Sequence, residues 1–125
     1  MQAGGPKNGP KHERRVWVRF ASDREACCQP LIAETTDDLE TTWPGKIRDA
    51  SAGGLGLIVK RRFEPGTVLN VELAVKPEGR RSFLGRVIHA TPDRKGRWVI
   101  GCVFAKPISQ QELKILLPEQ QSSSA

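Results

Sequence analysis

Two clusters in this 125-residue chain carry side chains able to grip an anionic ligand. The first is Arg14-Arg15-Val16-Trp17-Val18-Arg19, an RxxxR pattern with a third arginine just before it. The second is Asp49-Ala50-Ser51-Ala52-Gly53-Gly54, a DxSxxG pattern. Guanidinium is planar and offers parallel N–H donors, so it suits a phosphate or the O6/N7 edge of guanine. It also stacks on purine faces. The Asp49 carboxylate can accept from the N1–H and N2–H2 edge of the same base. Ser51 can donate to a phosphate or brace its loop. Gly53 and Gly54 are expected to supply positive φ and to let a flat ligand approach without a Cβ in the way. Together the clusters hold the groups that a compact, dianionic guanine ligand requires.

Each cluster also has a plainer reading. RxxxR in a basic arm is ordinary surface charge. DxSxxG is a common turn in which Asp accepts backbone N–H bonds. Gly53-Gly54-Leu55-Gly56 is no dinucleotide fingerprint, because that motif opens a helix and here a strand follows.

The charge distribution narrows the choice. Residues 1–20 carry +4, residues 21–45 carry −5, and residues 46–106 hold thirteen Lys/Arg against five Asp/Glu. Two basic zones flank an acidic strip, and the net charge is +6. Such a chain attracts phosphate-bearing ligands, whether nucleotide, nucleic acid or lipid headgroup. Cys27 and Cys28 are adjacent and Cys102 is distant, an odd count with no CxxC pair. With only His12 and His89 beside them, a metal site is not expected. The cysteines read as small buried apolar residues rather than a disulfide framework. No apolar run approaches the roughly 20 residues of a membrane helix, and the first 15 residues lack the apolar core of a secretory signal. A cytoplasmic location is therefore expected, with no membrane insertion.

The elements that must position these groups are mostly short β-like runs. Residues 1–12 read as a disordered arm and 118–125 as a disordered tail, leaving one domain over 13–117. A first strand is expected over 27–35, weakened at Pro30, followed by a loop over 36–45 ending in Pro44-Gly45. Further strands are expected over 46–51, 54–60, 67–75, 82–91 and 97–105, separated by Gly and Pro turns. Residues 67–75 alternate cleanly between apolar and polar. The last segment switches to helical character over 110–117. Ser109 and Glu112 form a capping box, Ile108 and Leu113 a hydrophobic staple, and Pro118 a stop. The fold class is all-β: a six-stranded antiparallel barrel with a C-terminal α-helix over one open end.

In combination, the two motifs, their order and their β context resemble the PilZ domain family. There an RxxxR segment precedes the first strand, and [D/N]xSxxG lies some 25–40 residues on. The resemblance spans roughly residues 13–117 and includes the Gly101–Phe104 segment and the terminal helix. It implies a bacterial receptor for the second messenger cyclic di-GMP. Arg15 and Arg19 would grip guanine and phosphate, Asp49 would read guanine, Ser51 would contact phosphate, and Gly53 and Gly54 would give room. Arg14, just before the motif, implies that the nucleotide binds as an intercalated pair. His89 stands near the position where family members place an aromatic against the ligand; Trp98 or Trp17 are the alternatives. No cofactor beyond the ligand is implied.

The expected mechanism is an arm bearing Arg14, Arg15 and Arg19 that orders against the 49–54 loop when the ligand bridges them. The output would pass to an unidentified effector protein in motility, exopolysaccharide synthesis or a related pathway, because no attached domain is evident. No catalytic residues are suggested, so no enzyme is expected. Two rivals remain. One is a small basic barrel that binds nucleic acid through Trp17, Phe83, Trp98 and Phe104. Few aromatics and a central Asp49 argue against it. The other is a PilZ-like protein adaptor without nucleotide, against which the intact motifs argue.

Overall fold

The computed structural model describes residues 17–31 and 42–118. Among the described residues seven strands follow in order: β1 Phe20–Ala21, β2 Glu25–Pro30, β3 Trp43–Ser51, β4 Gly54–Val59, β5 Val68–Ala74, β6 Arg80–Pro92 and β7 Trp98–Phe104. The α-helix α1 Gln110–Leu116 follows. All pairings are antiparallel. The order is β1-β3-β2-β5-β6-β7-β4, and β4 returns to pair with β3. That last ladder closes a six-stranded barrel and leaves β1 as a short extension beside β2. Ser22 N–H donates to Arg48 O at 2.9 Å and Ile47 N–H to Arg24 O at 2.8 Å. So β1 and β2 form one interrupted strand along the same edge of β3.

Period-2 sequence patterns produce the core directly. On β5, Leu69, Val71 and Leu73 are buried while Val68, Asn70 and Glu72 are not. On β2, Ala26, Cys28 and Pro30 point inward. Leu55 and Leu57 of β4 and Ile100 of β7 fill the centre. Leu113 and Leu116 of α1 join this cluster, and Ile108 packs against it. The helix start has both bonds of the capping box: Glu112 N–H to Ser109 Oγ at 3.0 Å and Ser109 N–H to Glu112 Oε1 at 2.8 Å. The Ser109 N–H, and after it the Ser109 hydroxyl, hold the Glu112 carboxyl below its usual range. At the other end, Ser22 Oγ donates to Leu116 O at 2.7 Å and Arg24 Nη1 to Ile115 O at 2.8 Å. These satisfy carbonyls that a helix end leaves without partners.

Two boundaries differ from the sequence expectation. Trp43-Pro44-Gly45 is not loop: it begins β3, with Gly45 opposite both Ala26 and Val59. Proline is tolerated here because it falls at the second residue of the strand, where few ladder bonds are lost. The first strand starts earlier than expected, at Glu25, and its last residue is Pro30. Its expected continuation over 32–35 lies outside the described residues. So do the two tails expected to be disordered, apart from Pro118.

The adjacent cysteines take opposite faces. Cys27 is exposed, whereas Cys28 and Cys102 are buried and free. Burial pushes both buried thiols up to about 12. At pH 7.5 the native protein is expected to take one iodoacetamide label, at Cys27, and three after denaturation. Mass spectrometry of tryptic peptides checks this; rapid native labelling of Cys28 or Cys102 would contradict the burial.

Candidate functional site

The site is a row across four strands. Asp49 on β3 stands opposite Gly56 on β4, Gly56 opposite Gly101 on β7, and Gly101 opposite His89 on β6. Two bulges aim the ends of this row. Arg48 is the extra residue on β3 and Ile88 the extra residue on β6. A bulge breaks strict alternation and re-aims side chains. Arg48 and Asp49 thus fall on the outer face together, and so do Ile88 and His89.

The glycines between them are required by contact. A Cβ on Gly56 would lie 2.8 Å from Asp49 Oδ1, and one on Gly101 would lie 2.3 Å from His89 Nε2. The carboxylate and the imidazole therefore lie over a floor that has no side chains of its own. A cavity of about 550 Å³ sits on this floor, within the roughly 300–1,000 Å³ typical of ligand pockets. Trp17, Arg19, Arg48, Ile88, His89 and Val103 are among the residues that wall it.

Arg19 reaches this row from the N-terminal side. Its Nη2 donates to Asp49 Oδ1 at 2.8 Å. Arg48 meets the other oxygen, with Nε and Nη2 each 3.2 Å from Asp49 Oδ2. Both guanidinium groups are about half exposed. Pairs so exposed are worth only about 0–1 kcal/mol, whereas a ligand bond to a charged group is worth about 1.5–3 kcal/mol. A ligand with suitable donors and phosphates can therefore displace either arginine from Asp49 at small cost.

The turn from β3 to β4 is braced from within. Ser51 is buried; its Oγ accepts from Gly53 N–H at 3.1 Å and faces Gly54 O at 3.4 Å. Phe104 N–H donates to Gly53 O and Ile108 N–H to Ala52 O, both at 2.9 Å. The Ser51 hydroxyl thus serves the loop, the second of the two roles open to it from sequence. The expectation of positive φ at Gly53 and Gly54 is corrected: among the described residues the positive-φ glycines are Gly66, Gly79 and Gly96. Gly53 and Gly54 are needed instead for close approach. A Cβ on Gly53 would strike the Trp17 indole at 2.6 Å, and one on Gly54 the Cys102 carbonyl oxygen at 2.2 Å.

Of the residues singled out from sequence, Arg19, Ser51, Gly53, Gly54 and His89 line one cavity, and Asp49 is ion-paired at its edge. Trp98 does not join them. It lies three residues along β7 from Gly101, opposite Val59 and Pro92, packs against the core, and carries the Arg62 guanidinium 5.7 Å from its ring centroid. Trp17 supplies the aromatic ring at the cavity. Arg14 and Arg15 lie outside the described residues. Arg48, Gly56, Gly101 and Ile88 were not foreseen as site residues. Gly54 and Gly56, alternating in an otherwise apolar strand, were the signal for a bare outer face. The bulges at Arg48 and Ile88 had none.

The closed barrel sets two arginines and a carboxylate beside a glycine floor, and comparison supplies the family. The model of the PilZ domain matches residues 11–118, and the chain belongs to the PilZ domain family. Among solved structures it is similar to the Bacillus subtilis inhibitor of motility MotI/DgrA, with a TM-score of 0.60 and 17% identity. That match covers 83% of this chain but 48% of the other, so the chain spans about half its length. The PilZ domain of Escherichia coli YcgR with c-di-GMP matches at a TM-score of 0.59 and 17% identity, over 89% and 94% of the two chains. YcgR in complex with c-di-GMP matches at 0.53 and 20%, over 82% and 42%. No curated protein sequence matches.

The two kinds of glycine contact separate in stability. Gly54→Ala presses a Cβ on a backbone carbonyl that cannot swing away, and is expected to cost about 1–3 kcal/mol. The nearest atoms to the Cβ of Gly101→Ala all belong to the movable His89 ring, and it is expected to cost less than about 1 kcal/mol. Urea unfolding of both variants checks the order; a costlier Gly101→Ala would contradict the described floor.

Proposed function

We propose that this chain is a cyclic di-GMP receptor of the bacterial cytoplasm that signals to a protein partner and performs no catalysis. The carrying observation is the Arg19–Asp49 pair, 2.8 Å apart across 30 residues of sequence, beside a glycine-floored cavity in a PilZ member. Neighbours of the same fold bound to c-di-GMP support the choice of ligand.

In this reading Arg19 turns from Asp49 to a phosphate or the O6/N7 edge of guanine. Asp49, released, accepts from the N1–H and N2–H2 edge. Arg14 and Arg15 complete the grip from the N-terminal side and draw that arm down over the 49–54 turn. Ser51 keeps the turn in shape, and Gly53 and Gly54 keep the approach open. Trp17 and His89 offer ring faces for the purines. With Arg14 in place, the ligand binds as an intercalated pair.

Titration calorimetry with cyclic di-GMP tests the reading. The wild type is expected to bind two nucleotides per chain. Arg19→Ala and Asp49→Ala are each expected to weaken binding by about 1.5–3 kcal/mol, roughly 10- to 150-fold. Arg62→Ala, away from the site, is expected to leave affinity unchanged. Wild-type affinity in both site variants would remove the site. Affinity for single-stranded DNA that exceeds that for cyclic di-GMP and collapses with salt would favour the nucleic-acid reading.

A further inference from the structure

The outer face of β5, β6 and β7 carries an apolar patch built around one arginine. Outward residues lie side by side across adjacent strands: Val68 on β5 is opposite Arg86 on β6, and Arg86 is opposite Val103 on β7. Leu31 continues the row beyond β5, its N–H bonded to Val68 O at 3.0 Å. Leu84 and Ile88 lie two residues to either side of Arg86 on β6, while Gly85 and Val87 between them are buried, as is Phe83 before Leu84. Leu31 is 56% exposed, Leu84 and Ile88 51% each, and Val103 37%. With strands about 4.8 Å apart and about 3.4 Å per residue, these side chains are immediate neighbours. Contiguous apolar patches on soluble domains commonly mark interaction sites.

Arg86 fixes the chemistry of what covers them. The other β6 arginines meet carboxylates: Arg80 with Glu72 at 3.2 Å and Arg81 with Glu112 at 3.4 Å. Among the described residues Arg86 has no hydrogen bond or ion pair, and the row contains no acidic residue. Anything seated on the apolar neighbours takes water from the guanidinium. A desolvated cation without a partner is costly, and a carboxylate is the partner that supplies both acceptors and the opposite charge. A second copy docked by two-fold symmetry would set Arg86 near Arg86 with no acid between. One arginine is also a weak hold on an anionic bilayer, about 1 kcal/mol. An arginine ringed by apolar groups that exclude water is instead the pattern of a protein–protein hot spot.

The geometry points to this face as the docking surface for a partner-protein segment that sets apolar side chains on Leu84, Ile88 and Val103 and a carboxylate against Arg86. Ile88 and Val103 also wall the cavity of the candidate site. The docked segment therefore borders the nucleotide, a consequence that rests on the cyclic di-GMP reading; the docking itself does not.

A random-peptide phage library selected on the full chain, and counter-selected on Leu84→Asp, tests this. The expected peptides combine apolar residues with Asp or Glu. Their affinity should fall at least tenfold on Arg86→Glu and return when the peptide acid is changed to Lys. Arg86→Gln, a milder variant checked by circular dichroism, should show the same loss without the return. Leu84→Asp and Arg86→Glu should keep cyclic di-GMP affinity, and Arg19→Ala should keep peptide affinity without nucleotide, so the two readings fail separately. The inference is overturned if the selected peptides lack an acid or ignore Arg86→Glu. It is equally overturned if the patch variants instead abolish self-association in sedimentation, or binding to phosphatidylglycerol vesicles.

Discussion

Everything at the site depends on register in three neighbouring ladders, β3 to β4, β4 to β7 and β7 to β6. Because side chains alternate, a slip of one residue in any of them turns the outer row into the core. The registers that hold bring Gly56 and Gly101 into contact as neighbours, with Asp49 and His89 at the ends. The core enforces this. Leu55, Leu57 and Ile100 lie between those outer positions and are fully buried, so a slip would expose them. Burial inside the barrel is thus what fixes the floor outside it. The bulges at Arg48 and Ile88 then adjust the two outer strands without disturbing the inner pair.

Much of this was legible from residue order. The alternation in Val68–Ala74, the turns after Val59 and Ala74, and the Ser109–Glu112 box are local signals, and local signals survive folding. Arg19 and Asp49 stood out by residue type, and the pairing of β1 with β3 brings these two into an ion pair. The misreadings arose where tertiary context decides. Pro44-Gly45 looks like a turn but sits in β3, because Cys27 and Val59 flank it on either side. Gly53 and Gly54 looked like residues chosen for backbone conformation. They are glycines because Trp17 and the Cys102 carbonyl come so close, a fact held in residues 36 and 48 positions away. Trp98 and Trp17 read alike in sequence, but Trp98 on β7 packs against the core while Trp17, ahead of β1, lines the cavity.

The electrostatics follow a similar division. A carboxylate in a basic protein is usually matched by whichever cation is near. Asp49 is matched twice, by one arginine from its own bulge and one from the N-terminal segment. Arg48 is tied to it by chain adjacency, whereas Arg19 must be delivered by β1. The pairing Phe20 with Ala50 and Ala21 with Asp49 performs that delivery. The position of Arg19 is therefore a consequence of strand pairing, and the ion pair contributes little to holding it.

The same short segment is held a second time, at its other end. Ser22 and Arg24 follow Arg19 by three and five residues, and they bond the final carbonyls of α1. Arg24 Nη2 also reaches Ala74 O at the end of β5, at 2.6 Å. Six residues thus join the candidate site, the terminal helix and the end of β5, with side chains of opposite duty on one short segment. Extended backbone covers about 3.3 Å per residue, so five residues from Arg19 to Arg24 span roughly 17 Å. This reach lets one stretch of chain touch both the Asp49 row and the helix end. A shift of Arg19 that displaced β1 from β3 would pull on the Ser22 and Arg24 bonds before it reached β2. Those bonds end on carbonyls with no other partner in the helix, so α1 is the element placed to register such a shift first.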